Sequence, residues 1–200
     1  MPPDRMTAPE PSPTDTGTAR EELHFRRIDM RGFRRGDGLF EVEGRVVDRK
    51  PYDFSPGDAG RPVPAHQPVH DMGVRLVFDE HMMVHDVQTF TDTAPFPECQ
   101  GGGQALQALK GLRMTSGWSR EVRSRLGGAC SCTHLRELLI PLATVAFQSL
   151  SVVRKRGPER LDASGRPVKI DSCYAYAAHR DVVRRRWPQF HRPAPPDEPA

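Results

Sequence analysis

Residues 69–78 read Val-His-Asp-Met-Gly-Val-Arg-Leu-Val-Phe, and this stretch decides the fold class. Apolar side chains recur there at every second position, the pattern of a strand buried on one face. These side chains are Met72, Val74, Leu76 and Phe78. Asp79 and Glu80 then turn the chain, and residues 82–90 alternate again before Pro95. The two stretches predict a pair of antiparallel strands.

The preceding residues extend this sheet. Residues 23–30 and 39–48 alternate less regularly, and the turn-forming run Arg-Gly-Asp-Gly at 35–38 separates them. Such a turn between two alternating stretches predicts a hairpin. Residues 51–68 contain five prolines and two glycines, so we expect a long exposed loop between the second and third strands.

From Gln104 onward the apolar period becomes helical. We predict helices at about 104–112, 118–126, 133–152 and 174–186. The longest, 133–152, has an apolar stripe, with Thr133 as its expected N-cap and Pro141 predicting a kink or two abutting helices. The sequence therefore predicts an α+β fold, in which an antiparallel sheet from the N-terminal half is packed by three to four α-helices from the C-terminal half.

The ends of the chain differ in composition from the middle. Residues 1–20 and 192–200 are rich in proline and lack large apolar side chains, so we expect disordered tails around a single domain at 21–191. No apolar run approaches the length of a membrane span, and no secretion signal is visible. We therefore expect a cytoplasmic protein with its four cysteines reduced.

Charge and motifs exclude several functional classes. Lysine and arginine number 29 against 26 acidic residues, which is not the footprint of a dedicated nucleic-acid binder. The glycines at 101–103 lack the Lys-Ser/Thr of a phosphate loop and are expected to form a hinge, so no nucleotide cofactor is indicated. No Gly-x-Ser-x-Gly motif supports a serine hydrolase. A protein partner and the oligomeric state stay open.

Residues 127–135, Gly-Gly-Ala-Cys-Ser-Cys-Thr-His-Leu, are the segment richest in reactive side chains. Cys130, Cys132 and His134 stand where the long helix begins. Backbone N–H groups at a helix start favour a thiolate, the form of cysteine that binds metals and attacks electrophiles. These residue types can hold zinc or iron. The alternative is that the cysteines are buried apolar residues, as free cysteines often are.

Several of these segments together resemble an uncharacterised bacterial family known as a domain of unknown function. The resemblance runs from about residue 24 to 192 and implies no activity. It rests on Arg31–Leu39, Asp48–Asp53, Pro68–Met72, Gly127-Gly128, Cys132–Leu135 and Val182–Pro188.

The order of the parts also resembles the scaffold proteins of iron–sulfur cluster assembly, which carry metal-binding residues at a strand turn, after the next strand and at the start of a late helix. That resemblance implies a zinc or iron site built by Asp71, Cys99, Cys132 and His134, with His70 as a further candidate. The first cysteine of the scaffold proteins is missing in this chain, and the order and spacing of cysteine and histidine differ.

The sequence thus predicts a metal-binding domain, scaffold-like or accessory, and leaves open whether it is an enzyme. One alternative is a small-molecule enzyme with Cys132 as nucleophile and His134 or His70 as base. Another is a protein- or nucleic-acid-interaction module that uses the arginine clusters, such as Arg184-Arg185-Arg186. Metal analysis separates the first reading from both alternatives, because neither alternative needs a metal.

Overall fold

In the computed structural model, which describes residues 18–154 and 158–194, four strands form one antiparallel sheet in the order β1-β2-β3-β4. Each strand pairs with its neighbour in sequence, so both predicted hairpins are confirmed. The strands are β1 (Phe25–Arg34), β2 (Phe40–Arg49), β3 (Pro68–Phe78) and β4 (Val84–Thr93).

The helical part follows the sheet. A 3₁₀ segment, Pro97–Leu109, leads to helix α1 (Trp118–Leu126), a short 3₁₀ turn (Gly128–Cys130) and helix α2 (Thr133–Ser149). Helix α2 lies across β1, β2 and β3. It approaches the sheet closely at Gly44, where an added Cβ would stand 3.3 Å from the side chain of Leu142. This architecture confirms the predicted α+β class.

The two faces of the sheet have different chemistry. The face beneath α2, called the inner face here, carries the alternating apolar side chains of β2 and β3, including Val42, Val74 and Leu76, all fully buried. The other face carries ion pairs, in which Arg45 and Arg75 bind acidic side chains of neighbouring strands. A polar residue on the inner face is therefore an exception to the pattern.

Three details of the helices differ from the prediction. Residues 104–109 of the helix expected at 104–112 belong to the 3₁₀ segment, which ends at Leu109. Helix α2 continues through Pro141 and ends at Ser149, so the helix is not divided in two at the proline, and the expected kink stays a prediction. The first helical hydrogen bond of α2 joins the Arg136 N–H to the Cys132 carbonyl at 3.0 Å, which puts Cys132 rather than Thr133 at the N-cap position.

The chain divides into two compact units, the first ending at Ser149 and the second beginning at Leu150. The second unit contains α3 (Ser151–Arg154), a 3₁₀ turn at Tyr174–Tyr176 and α4 (Asp181–Arg186), where one helix was expected at 174–186. Ile170, Ala178, Val183 and Trp187 form its small core. The single domain at 21–191 stays a prediction, and the predicted tails lie largely outside the described residues.

One helical stretch, Thr133–Val153, has the length and composition of a membrane span, contrary to the expectation that none would. Within it, Leu135, Leu138 and Leu142 of α2 are fully buried, and α2 packs against α1 and the sheet. These leucines belong to the core of the first unit, whereas Ile140, Phe147 and Val152 of the same stretch are exposed.

Candidate metal centre

Three polar residues form a row across one end of the inner face. Arg26 of β1 lies directly opposite Asp48 of β2, and Asp48 lies directly opposite His70 of β3. Residues opposite each other in antiparallel strands project from the same face. Asp48 thus follows Val42 and Val46 on the inner face of β2, and the row puts polar side chains at this end of an otherwise apolar face.

Asp48 is the centre of this row and only 1% exposed. The Arg26 guanidinium donates to both of its oxygens, with Nε at 2.7 Å from Oδ1 and Nη2 at 3.0 Å from Oδ2. His24 Nε2 lies 3.2 Å from Oδ1, and His70 Nδ1 lies 3.1 Å from Oδ2. Burial raises the pKa of the Asp48 carboxyl, but hydrogen bonds from His70 and Arg26 outweigh it and hold the pKa far below its ordinary value.

The start of α2 brings a second imidazole onto this carboxylate. His134 Nε2 lies 3.7 Å from Asp48 Oδ2, and the rings of His134 and His70 lie with their centroids 3.9 Å apart. The helix start is fixed by the 3₁₀ segment, because the Cys132 N–H donates to the Gly102 carbonyl at 2.9 Å. An added Cβ on Gly102 would come within 2.7 Å of the Cys132 Cβ, so only glycine permits this approach without a shift.

Asp48, His70 and His134 together have the geometry of a metal site. One ligand atom from each lies within 4.8 Å of the other two. Metal bonds of about 2.1 Å at tetrahedral angles place donors about 3.4 Å apart. The distances from Asp48 Oδ2 to His70 Nδ1, 3.1 Å, and to His134 Nε2, 3.7 Å, lie on either side of that value. This buried group could hold a metal ion.

Cys132 lies beside this group and faces Nδ1 of His134, the ring nitrogen that does not face Asp48. Its Sγ is 3.9 Å from His134 Nδ1 and 3.6 Å from the Met72 Sδ. Burial raises the pKa of the Cys132 thiol, but the His134 hydrogen bond and backbone N–H groups of Leu135 and His134 outweigh it, and the pKa is lowered. His134 thus joins a thiol on one side to the carboxylate on the other.

Two cavities meet at His134. One, of about 660 Å³, is lined by Cys99, Cys130 and Cys132, three of the four cysteines of the chain. The other, of about 420 Å³, is lined by the polar row and by apolar side chains. His134 and Cys99 line both cavities, so both cavities border the candidate metal group.

The structure brings together some of the residues predicted from the sequence. His134, Cys132 and Cys99 line one cavity, and the His70 ring lies against the His134 ring in a tilted arrangement. Asp71 lies elsewhere, because adjacent residues of a strand project from opposite faces. Its carboxylate is bound by Arg45, with Nε at 2.6 Å from Oδ1 and Nη2 at 2.8 Å from Oδ2. Metal binding by the predicted set stays a prediction.

Sequence reasoning missed Asp48, although the sequence contains a signal for it. Phe40, Val42 and Val46 alternate along β2, and Asp48 falls on the next position of the same face. A carboxylate on the buried face of a strand must be paired or bind a cation. Asp48 is the last residue of the predicted strand 39–48, and the long loop at 51–68 separates it in sequence from His70.

The fold and this group define a small α+β protein with a candidate metal centre where its sheet meets a helix start. The chain belongs to the family described as protein of unknown function DUF2889, whose model matches residues 24–148. The match contains all four strands and the residues of the centre, and it ends before the second unit. The resemblance expected to continue to residue 192 is therefore supported only to 148. No curated protein and no solved structure matches the chain.

Proposed function

We propose that the chain binds one transition-metal ion, zinc or iron, through Asp48 Oδ2, His70 Nδ1 and His134 Nε2. The observation that supports this most strongly is the convergence of two imidazole nitrogens on one oxygen of a buried carboxylate. A hydrogen bond alone explains the contact of His70 with Asp48, at 3.1 Å. At 3.7 Å, His134 is too far for a hydrogen bond, whereas a metal between the donors accounts for both distances.

The donor set selects the type of metal centre. Two imidazoles and one carboxylate suit zinc and mononuclear non-haem iron. Iron–sulfur clusters are held mainly by thiolates, and Cys132 is the one thiol with a hydrogen bond to the imidazole pair in the described part of the chain. A mononuclear ion is therefore favoured over a cluster. Of the scaffold-like role, the proposal keeps metal binding and not the assembly of clusters.

The charge around the site is compatible with a divalent ion. Arg26 brings a positive charge, but its Nη1 donates to Glu137 at 2.9 Å, so this second carboxylate balances it. Asp48 remains as a negative ligand, and Cys132 can add another negative charge as thiolate. Arg26 also fixes the carboxylate plane through its paired hydrogen bonds, the orienting role that neighbours of metal ligands commonly have.

Three protein ligands leave at least one coordination position for another molecule. Catalytic metal sites typically have this form, whereas structural zinc sites use four protein ligands. His134 lines both cavities. We therefore favour a centre that binds a small molecule at the ion, as a metal-dependent enzyme or accessory protein would.

Zinc titration of the chelator-treated protein tests this function, with a competing chromophoric chelator as the readout. The wild type should bind about one equivalent, and His70→Ala should weaken binding about a hundredfold. His85→Ala is the matched control. His85 also contacts a carboxylate, that of Asp79 at 2.9 Å, but this pair lies at the connection between β3 and β4. Equal zinc affinity in all three proteins would refute the proposal.

A second function, nucleophilic catalysis by Cys132, is favoured by one observation. Cys132, His134 and Asp48 form a line in which each imidazole nitrogen faces one partner, as in a thiol–imidazole–carboxylate triad. Alkylation of Cys132 in the native protein separates the two functions. A free activated thiolate should react at once with or without chelator, whereas a thiol shielded by a metal centre should react only after the chelator removes the metal.

A further inference from the structure

We propose that the cavity of about 420 Å³ binds a small apolar carboxylic acid, with Lys50 binding its carboxylate. This inference rests on the proposed metal function, because it names the ligand of that site. The cavity has two chemically distinct parts. One part is the polar row of the metal group, and the other consists of Phe54, Pro56, Val69, Pro95 and Phe96.

The apolar part suits a ring or a branched chain. Phe54, Pro95 and Phe96 line the cavity, and apolar and aromatic side chains commonly form the walls of ligand sites. Phe96 stays 37% exposed although it is apolar, and it lines both cavities. The volume is within the range of small-molecule sites and accommodates a phenyl group with a short side chain.

Lys50 supplies the charge that selects an acid. Its ammonium lies 3.2 Å from the Tyr52 hydroxyl and over the rings of Tyr52 and Phe54, at 5.3 and 5.2 Å from their centroids. Within the described residues it has no carboxylate partner. Arg26, the other strong cation of this cavity, is already bound to Asp48 and Glu137. A half-buried cation without an anion, beside apolar walls, is complementary to a monocarboxylate.

The position of Lys50 places such a ligand at the metal. Lys50 directly follows β2, two residues after Asp48. A ligand whose carboxylate binds Lys50 and whose body lies on the aromatic walls therefore shares the cavity with His70 and His134. The inferred ligand class is an aryl or branched-alkyl monocarboxylate, and a neutral molecule of the same shape should bind less well.

Calorimetric titration with phenylacetate, and with phenylacetamide as the neutral probe, tests this inference. On the zinc-loaded wild type, phenylacetate should bind about tenfold more tightly than the amide, as expected for one charged hydrogen bond. Lys50→Gln should remove this difference by weakening phenylacetate alone, and Lys50→Arg should restore it. Lys110→Gln, which changes a lysine paired with Asp86 at 2.7 Å, should have no effect.

The same titrations on chelator-treated protein distinguish the two proposals. If zinc does not bind but phenylacetate still binds in a Lys50-dependent manner, the metal function fails and the ligand class stands. If zinc binds at the imidazole pair but phenylacetate does not bind, or binds equally well to Lys50→Gln, the inference about the ligand is overturned and the metal function stands.

Discussion

The imidazole rings of His70 and His134 lie with their centroids 3.9 Å apart, although one belongs to a strand and the other to a helix. The contact joins the first turn of α2 to the start of β3, and both imidazoles lie within 4 Å of the buried carboxylate of Asp48. Such an arrangement of two imidazoles and one carboxylate is the strongest indication of function in this chain.

Gly102→Ala should damage the centre without touching any ligand. The added methyl group would collide with the Cys132 Cβ at 2.7 Å and press on the backbone that begins α2. We expect the free energy of unfolding to fall by about 1–3 kcal/mol and zinc affinity to fall with it. Gly101→Ala is the matched control, because its methyl group would meet nothing within 4 Å. Equal behaviour of the two variants would show that the close approach at Gly102 is unimportant.

Arg26→Met should destabilise the metal-free protein more than the zinc-loaded protein. Without the guanidinium, the buried Asp48 carboxylate loses two hydrogen bonds, and we expect a loss of about 2 kcal/mol in the free energy of unfolding. A zinc ion on Asp48 replaces part of the missing positive charge. Thermal denaturation should therefore show a larger zinc-induced rise in Tm for Arg26→Met than for the wild type.

Arg27→Met controls for the loss of an arginine on the same strand. Arg27 binds Asp29 at 2.7 Å, with both side chains more than a third exposed, so its replacement should cost less than about 1 kcal/mol. The metal assignment would be contradicted if the destabilisation by Arg26→Met had the same size with and without zinc.

The turn between β3 and β4 should lose stability in acid. Burial raises the pKa of Asp79, but hydrogen bonds from His85 and from the N–H groups of Met83 and His81 outweigh it, and the pKa is lowered. A lowered pKa stabilises the folded state above the ordinary value of 3.8, and this contribution disappears as the pH falls through the folded pKa.

Asp79→Ala should therefore cost about 1 kcal/mol near neutral pH and clearly less near pH ~3, measured by urea unfolding at both pH values. Glu80→Ala is the control, since the ion pair that this exposed neighbour makes within the described residues is a distant one, with His81 at 3.9 Å. An equal cost of Asp79→Ala at both pH values would mean that the charge of the carboxylate does not matter.

The sequence predicts most of the fold because the apolar pattern follows the secondary structure. Met72, Val74 and Leu76 mark the buried face of β3, and Leu135, Leu138 and Leu142 mark the face of α2 that packs on it. Pro141 lies inside α2, and the helix continues past it instead of dividing in two.

The site was harder to predict because it depends on register. Cys132 and His134 were found from a local motif, but Asp48 joins them only because β2 pairs with β3 so that Asp48 faces His70. A shift of one residue puts Asp71, the predicted ligand, on that face instead. In the structure, Asp71 is opposite Val47 and binds Arg45. Single-sequence patterns do not fix the register of two strands joined by a long loop.

A crystal structure of the zinc-loaded protein, with the zinc located by anomalous scattering, tests the central claim most directly. The account predicts one strong peak within about 2.2 Å of Asp48 Oδ2, His70 Nδ1 and His134 Nε2. A peak bound only by Cys99, Cys130 or Cys132, or no peak at the imidazole pair under saturating zinc, would contradict it.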